Sequence, residues 1–195
     1  NKYWFSYPGY NEIFTGYPDD SVNTNDKKMN TNVNVLEFIN QQPAYKGKVA
    51  AFTSWDVFDA IFNEPRSKFL VSSGFDTIND KAVTMQLLND MQLHSPQPLG
   101  EGVRPDHLTY YIAKEYIKLH GPKVVYIGFD ETDDWAHEGK YDNYLNAGNL
   151  NDSWIADLWN FMQAIPQYRN KTTLLITTDH GRGDKNKKDW RSHGQ

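Results

Sequence analysis

The chain reads as an α/β domain, a mostly parallel central sheet with helices on both faces. Three observations carry that expectation. Short apolar runs of strand length recur at 48–54 (KVAAFTS), 68–72, 123–129 (KVVYIGF) and 171–178 (KTTLLITT). Segments with apolar residues at helical spacing separate these runs, and proline and glycine stand at the segment ends.

The length of 195 residues, with 38% hydrophobic and 14% aromatic residues, fits one globular domain or a piece of one. A net charge of -5 without a long basic block argues against nucleic acid as the main partner. Arg182, Lys185, Lys187, Lys188 and Arg191 form one basic cluster. It reads first as a solvated loop, with steering of an anionic substrate as the alternative. The absence of cysteine removes disulfides and thiolate metal ligands. No apolar run is long enough to span a bilayer, and no secretory leader is visible.

In chain order, Ser6 precedes Pro8 and a short amphipathic run that Gly16 stops, which predicts a helix with Ser6 at its N-terminus. Such a position favours an oxyanion, although a serine there also serves as a plain cap. Residues 17–34 are rich in Asn and Asp and read as an exposed loop, and 35–41 as a short helix closed by Pro43. The strand at 48–54 leads into a short helix at 55–62, and the strand at 68–72 precedes a helix at 78–93 with Val83, Leu87, Leu88 and Met91 on its apolar face. A loop at 95–102 precedes a helix opened by Pro105 and stopped by Gly121. The strand at 123–129 empties into an acidic loop, DETDDWAHEGKYDNY, and an amphipathic helix at 152–165 returns the chain to the run at 171–178.

Two of these strands end in chemistry. Asp179 and His180 follow the last apolar run, and Asp133 stands four residues before His137 after the preceding one. In open α/β sheets ligands collect at the carboxyl ends of strands. Adjacent oxygen and nitrogen donors suit a zinc-like ion, while a cap beside a surface histidine explains the Asp179–His180 pair equally well on its own.

Taken in order, Ser-x-Pro at a helix start, Asp-x-x-x-His after a strand, Thr-Asp-His-Gly after the next and a final His193 resemble the alkaline phosphatase superfamily, most closely its type I phosphodiesterase and nucleotide pyrophosphatase branch. Ser6, Tyr7, Pro8, Thr15, Gly16 and Pro18 match the branch's stretch around the nucleophile. The resemblance implies an alkaline phosphatase-like fold over residues 1–195, with Ser6 as covalent nucleophile. It implies that Asp133, His137 and His193 hold one divalent ion and that Asp179, His180 and the Ser6 oxygen hold a second. Zinc is the first expectation, with manganese or iron as alternatives. Asn11, Tyr10 and Trp135 become candidate substrate contacts, and Tyr7, Tyr10, Trp55 and Trp135 a candidate aromatic wall.

Three departures qualify the resemblance. Gly9 replaces an asparagine that helps to hold a non-bridging oxygen, and Asn11 is the candidate substitute. Tyr10 stands where sulfatases carry arginine, which weakens the sulfatase reading. A metal-binding aspartate expected well upstream of the nucleophile has no counterpart, and the closing strands are not present, so the domain is expected to be incomplete in this chain and weak or inactive unaided. The resulting expectation is a metal-dependent hydrolase of small-molecule phosphate esters, acting through a phosphoseryl intermediate and, by resemblance, secreted or periplasmic. The alternatives are a non-catalytic module that binds an anion or glycan on the same scaffold, and a phosphate-transferring mutase. The mutase requires a cap domain between Gly16 and Lys123, where the residues read as layers of the same domain.

Overall fold

A computed structural model describes residues 3–186 and 189–194, so Lys187 and Lys188 of the basic cluster lie outside the described residues. The expected α/β class holds. Strand β1 (Val49–Thr53) lies between β2 (Leu70–Ser73) and β3 (Val124–Gly128), and all three run parallel. The register sets Ala51 against Val71 on one side and Tyr126 on the other. Every residue of β1 is buried, as a central strand covered on both faces requires.

Alternation along β1 assigns its residues to two cores. Val49 and Ala51 join Tyr7, Phe14, Phe58, Ile61 and Phe62 on one face. That face is covered by α1 (Ser6–Thr15), α2 (Val35–Gln41) and α3 (Phe58–Ile61), with α4 (Glu64–Ser67) next in the chain. Ala50 and Phe52 join Ile78, Met85, Ile112 and Ala113 on the other. There the cover is α5 (Val83–Leu93) and α6 (Asp106–His120). The expected cover on both faces is therefore present around the three parallel strands. Gly16 and Gly121 end α1 and α6 at φ of 80° and 58°, a left-handed conformation that glycine adopts without strain.

The end of the chain departs from expectation in three ways. The acidic stretch after β3 is not a loop but a helix, α7 (Glu131–His137), whose first turn carries three acids where the positive end of the helix dipole favours them. The next helix, α8 (Tyr141–Ala164), starts well before the expected position at 152. The run at 171–178, expected to be a buried strand, joins no ladder, and Leu174, Leu175 and Ile176 are 43%, 88% and 67% exposed. An apolar run becomes a strand only where a neighbouring edge receives its N–H and C=O groups, and none does so here. After it, β4 (Gly181–Arg182) and β5 (His193–Gly194) form a short antiparallel pair.

Candidate metal centre

Side chains from four separate stretches meet beyond the carboxyl end of β3. Ser6 is the first residue of α1, preceded by an extended Phe5. It is 9% exposed, and its hydroxyl is turned inward, with Oγ 3.3 Å from Nε2 of His180, which in turn meets the Asp179 carboxylate. The serine therefore faces the Asp179–His180 pair that the resemblance assigned to it.

Gly9 explains how the two segments approach. A Cβ at Gly9 would lie 2.5 Å from the backbone oxygen of Asp179, so α1 rests directly on that peptide. The asparagine expected from the resemblance has no room at this position. Asn11, the suggested substitute, is 1% exposed and accepts from the amides of Asn30 and Asn32 at 3.0 and 3.1 Å. Those contacts belong to the α1 anchor, and its Nδ2 has no partner among the described residues.

The second group is built by α7 and the β4–β5 pair. Four-residue spacing on a helix places Asp133 and His137 on one face, with Nε2 of His137 3.1 Å from Oδ2 of Asp133. His193 on β5 stands opposite Arg182 on β4, and directly paired residues of an antiparallel ladder project to one side. Both reach Asp133: Nε2 of His193 lies 3.5 Å from Oδ1, and Arg182 makes an ion pair with the same oxygen. Asp133, His137 and His193 each offer one ligand atom within 4.8 Å of the others. His180 joins the two groups, with Nε2 3.3 Å from Oδ2 of Asp179 and 3.7 Å from Oδ1 of Asp133.

The donor set fits a cation. Nδ1 of His180 lies 3.0 Å from the carbonyl oxygen of Gly181, which only accepts, so Nδ1 carries a proton and Nε2 is the ring nitrogen turned toward Asp179, Asp133 and Ser6. Nε2 of His137 and Nε2 of His193 face each other at 2.8 Å, where at most one can donate to the other. Imidazole nitrogens and carboxylate oxygens thus converge around Asp133, which is a donor set that suits a divalent ion.

Charge follows the geometry. Burial opposes ionisation of Asp133, but hydrogen bonds from His137 and His193 and the charge of Arg182 hold its carboxyl well below the usual range. The hydrogen bond to Asp133 raises His137 above an ordinary histidine, with burial acting against it. Burial pushes Asp179 up, and the charge of His180 opposes that rise. Asp130 is driven far above the ordinary carboxyl value by burial and by the charge of Asp134.

The proposed substrate contacts are only partly placed at this centre. Tyr10 packs on Phe58 with ring centroids 4.6 Å apart and joins the first core together with Tyr126; burial raises its hydroxyl pKa, and the charges of Asp179 and Asp130 add to the rise. Tyr7 is 3% exposed, and its hydroxyl donates to the carbonyls of Lys28 and Ala60. Trp135 is half-buried on α7 and donates from Nε1 to Glu131 at 3.3 Å. Trp55 packs against the first core. The open cleft at the ligands, about 370 Å³, is lined instead by Tyr3, Trp4, Gly9, Glu12 and Ile13, together with Asp179, His180 and Gly194. Trp4 and Ile13 flank the Ser-x-Pro segment, and the signal that marks them, exposure of large apolar side chains, requires coordinates.

Supporting residues were also missed in the sequence. Arg191 donates to the carbonyl of His137 at 3.0 Å and packs on Gly139, where a side chain would meet its guanidinium. Asp106 and Glu131 tie the start of α6 to the start of α7. Arg182, read as part of a solvated basic loop, is half-buried against Asp133, whereas Lys185 is exposed.

No protein-family model matches the chain, and no curated protein or solved structure matches it at a significant level.

Proposed function

We propose that the chain is a metal-dependent hydrolase of small-molecule phosphate esters that works through a phosphoseryl intermediate. One observation carries this reading: Ser6, Asp133, His137, Asp179, His180 and His193, spread from residue 6 to residue 193, converge on one cluster with the serine hydroxyl inside it. Asp133, His137 and His193 are suited to hold one divalent ion, and Asp179, His180 and Ser6 the other, zinc being the first choice and manganese or iron the alternatives. When bound, two such ions neutralise charge on the phosphoryl oxygens and lower the pKa of the attacking group.

The chain's own residues supply position. His180 lies with Nε2 3.3 Å from the Ser6 hydroxyl and orients it within the cluster. The positive end of the ten-residue helix α1 lies at the same hydroxyl and favours an anion there. Oγ of Ser6 forms a bond to phosphorus as the bond to the leaving alcohol oxygen breaks. A water molecule then attacks phosphorus, releases inorganic phosphate from a monoester substrate or the remaining monoester from a diester, and returns the hydroxyl to Ser6. Trp4 and Ile13 give the cleft an apolar wall suited to an ester substituent.

Gly9 favours a second reading, a non-catalytic module that holds an anion at the same centre, because the space for an asparagine that steadies the phosphoryl group is filled by the Asp179 backbone. Turnover of p-nitrophenyl phosphate and of its bis-ester by the zinc-loaded full-length chain separates the two. The hydrolase reading expects activity that Ser6→Ala and chelation each abolish. Activity that survives either treatment removes Ser6 or the metals from the mechanism, and zinc and phosphate binding without turnover establishes the module.

A further inference from the structure

Arg182 is held in place for a task that the protein's own contacts do not complete. Its Nη2 pairs with Oδ1 of Asp133, whereas its Nη1 is buried and has no hydrogen-bond partner among the described residues. A buried donor without an acceptor is costly, and a charged one more so. The side chain has little freedom to find another acceptor. Arg182 is paired with His193 across the β4–β5 ladder, and the following Gly183 lies so close to Asp189 that a Cβ would sit 2.6 Å from its backbone oxygen. The open Nη1 therefore stays in the cluster, beside the carboxylate that also meets His137, His193 and His180.

We infer that Arg182 is the anion receptor of this centre: its guanidinium covers Asp133 while no divalent ion is held there, and engages a non-bridging oxygen of the phosphoryl group once one is. Two features make the chemistry specific. A planar guanidinium offers parallel N–H donors that match the spacing of two phosphoryl oxygens, which a lysine cannot reproduce. The guanidinium and a cation also compete for one oxygen of Asp133, so arrival of the cation frees Nη2 beside the already open Nη1. The inference rests on the hydrolase reading and adds the residue that recognises the doubly charged end of the substrate.

The test uses the full-length chain and two titrations followed by calorimetry, zinc into metal-free protein and inorganic phosphate into zinc-loaded protein. Arg182→Ala is expected to weaken phosphate binding by roughly tenfold to a hundredfold, the range for loss of a charge-assisted hydrogen bond, while zinc binds at least as tightly as to the unaltered chain because its competitor is gone. Arg182→Lys is expected to fall between the two. Phosphate binding unchanged in Arg182→Ala overturns the assignment and leaves the hydrolase reading intact. Loss of zinc and phosphate binding together makes Arg182 a structural support and overturns it as well. An unaltered chain that holds neither zinc nor phosphate overturns both.

Discussion

The carboxylate of Asp106 accepts the backbone N–H of Glu131 at 3.0 Å, and the carboxylate of Glu131 accepts the backbone N–H of Asp106 at 2.9 Å, so each residue caps the helix that the other opens. The reciprocity fixes α7, and with it Asp133 and His137, to the body of the domain. Asp106→Ala removes the cap of α7 and is expected to cost about 1–2 kcal/mol in urea denaturation and to weaken zinc binding, since Asp133 lies in the turn that loosens. Unchanged values for both measurements would show that α7 is held by its packing alone.

Asp106 should also make stability depend on pH. It is buried, and burial pushes its carboxyl up to about 7, helped by the charge of Glu131 and opposed by hydrogen bonds from Ser54 and the amides of Asp130 and Glu131. The folded chain then binds this proton more tightly than the unfolded chain, whose carboxyl titrates near ~4, so the contribution is present at low pH and lost as pH rises toward 7. Denaturation of Asp106→Asn across that interval is expected to show a shallower decline than the unaltered chain. Parallel curves would mean that the three hydrogen bonds outweigh burial and keep Asp106 ionised throughout.

Gly9 is the contact on which the serine's position depends. Gly9→Ala forces a methyl group against the Asp179 carbonyl and is expected to destabilise the chain by about 1–3 kcal/mol. Gly9→Asn, which introduces the residue expected from the resemblance, is expected to reduce phosphate binding further rather than improve it, because the larger side chain moves the Asp179–His180 peptide. Improved phosphate binding in Gly9→Asn would show that α1 and that peptide can separate without cost.

The run at 171–178 shows where sequence reasoning succeeds and where it stops. Its composition identifies strand-forming residues and its end identifies Asp179 and His180, and both side chains stand at the centre beside Ser6. Composition does not report whether a sheet edge is available, and the residues between remain exposed. Leu175→Ser is accordingly expected to change stability by no more than about 0.5 kcal/mol, against the 2–5 kcal/mol that truncating a buried leucine costs. A loss in the larger range would mean that this run pairs in solution.

Other parts of the fold were legible for a clear reason. Helical spacing and the Pro105 and Gly121 signals define α6 almost to the residue, because a cap and a face are local properties. Asp133 and His137 were found by their spacing even though α7 was read as a loop, since four residues bring both to one side only in the helix that the acidic composition concealed. Arg182 and the Asp106–Glu131 caps were not legible, because each acts through a partner more than twenty residues away. Of the expected aromatic wall, Tyr7 has its hydroxyl bonded inside the domain and Tyr10 packs on Phe58, whereas Trp4 lines the cleft, a difference set by contacts distant in the chain.

An anomalous difference map at the zinc edge, from crystals of the full-length chain grown with zinc, tests the central claim most directly. The account predicts one peak among Asp133, His137 and His193 and a second beside Ser6, Asp179 and His180. A map with no peak at either position, with Arg182 still paired to Asp133, would contradict it.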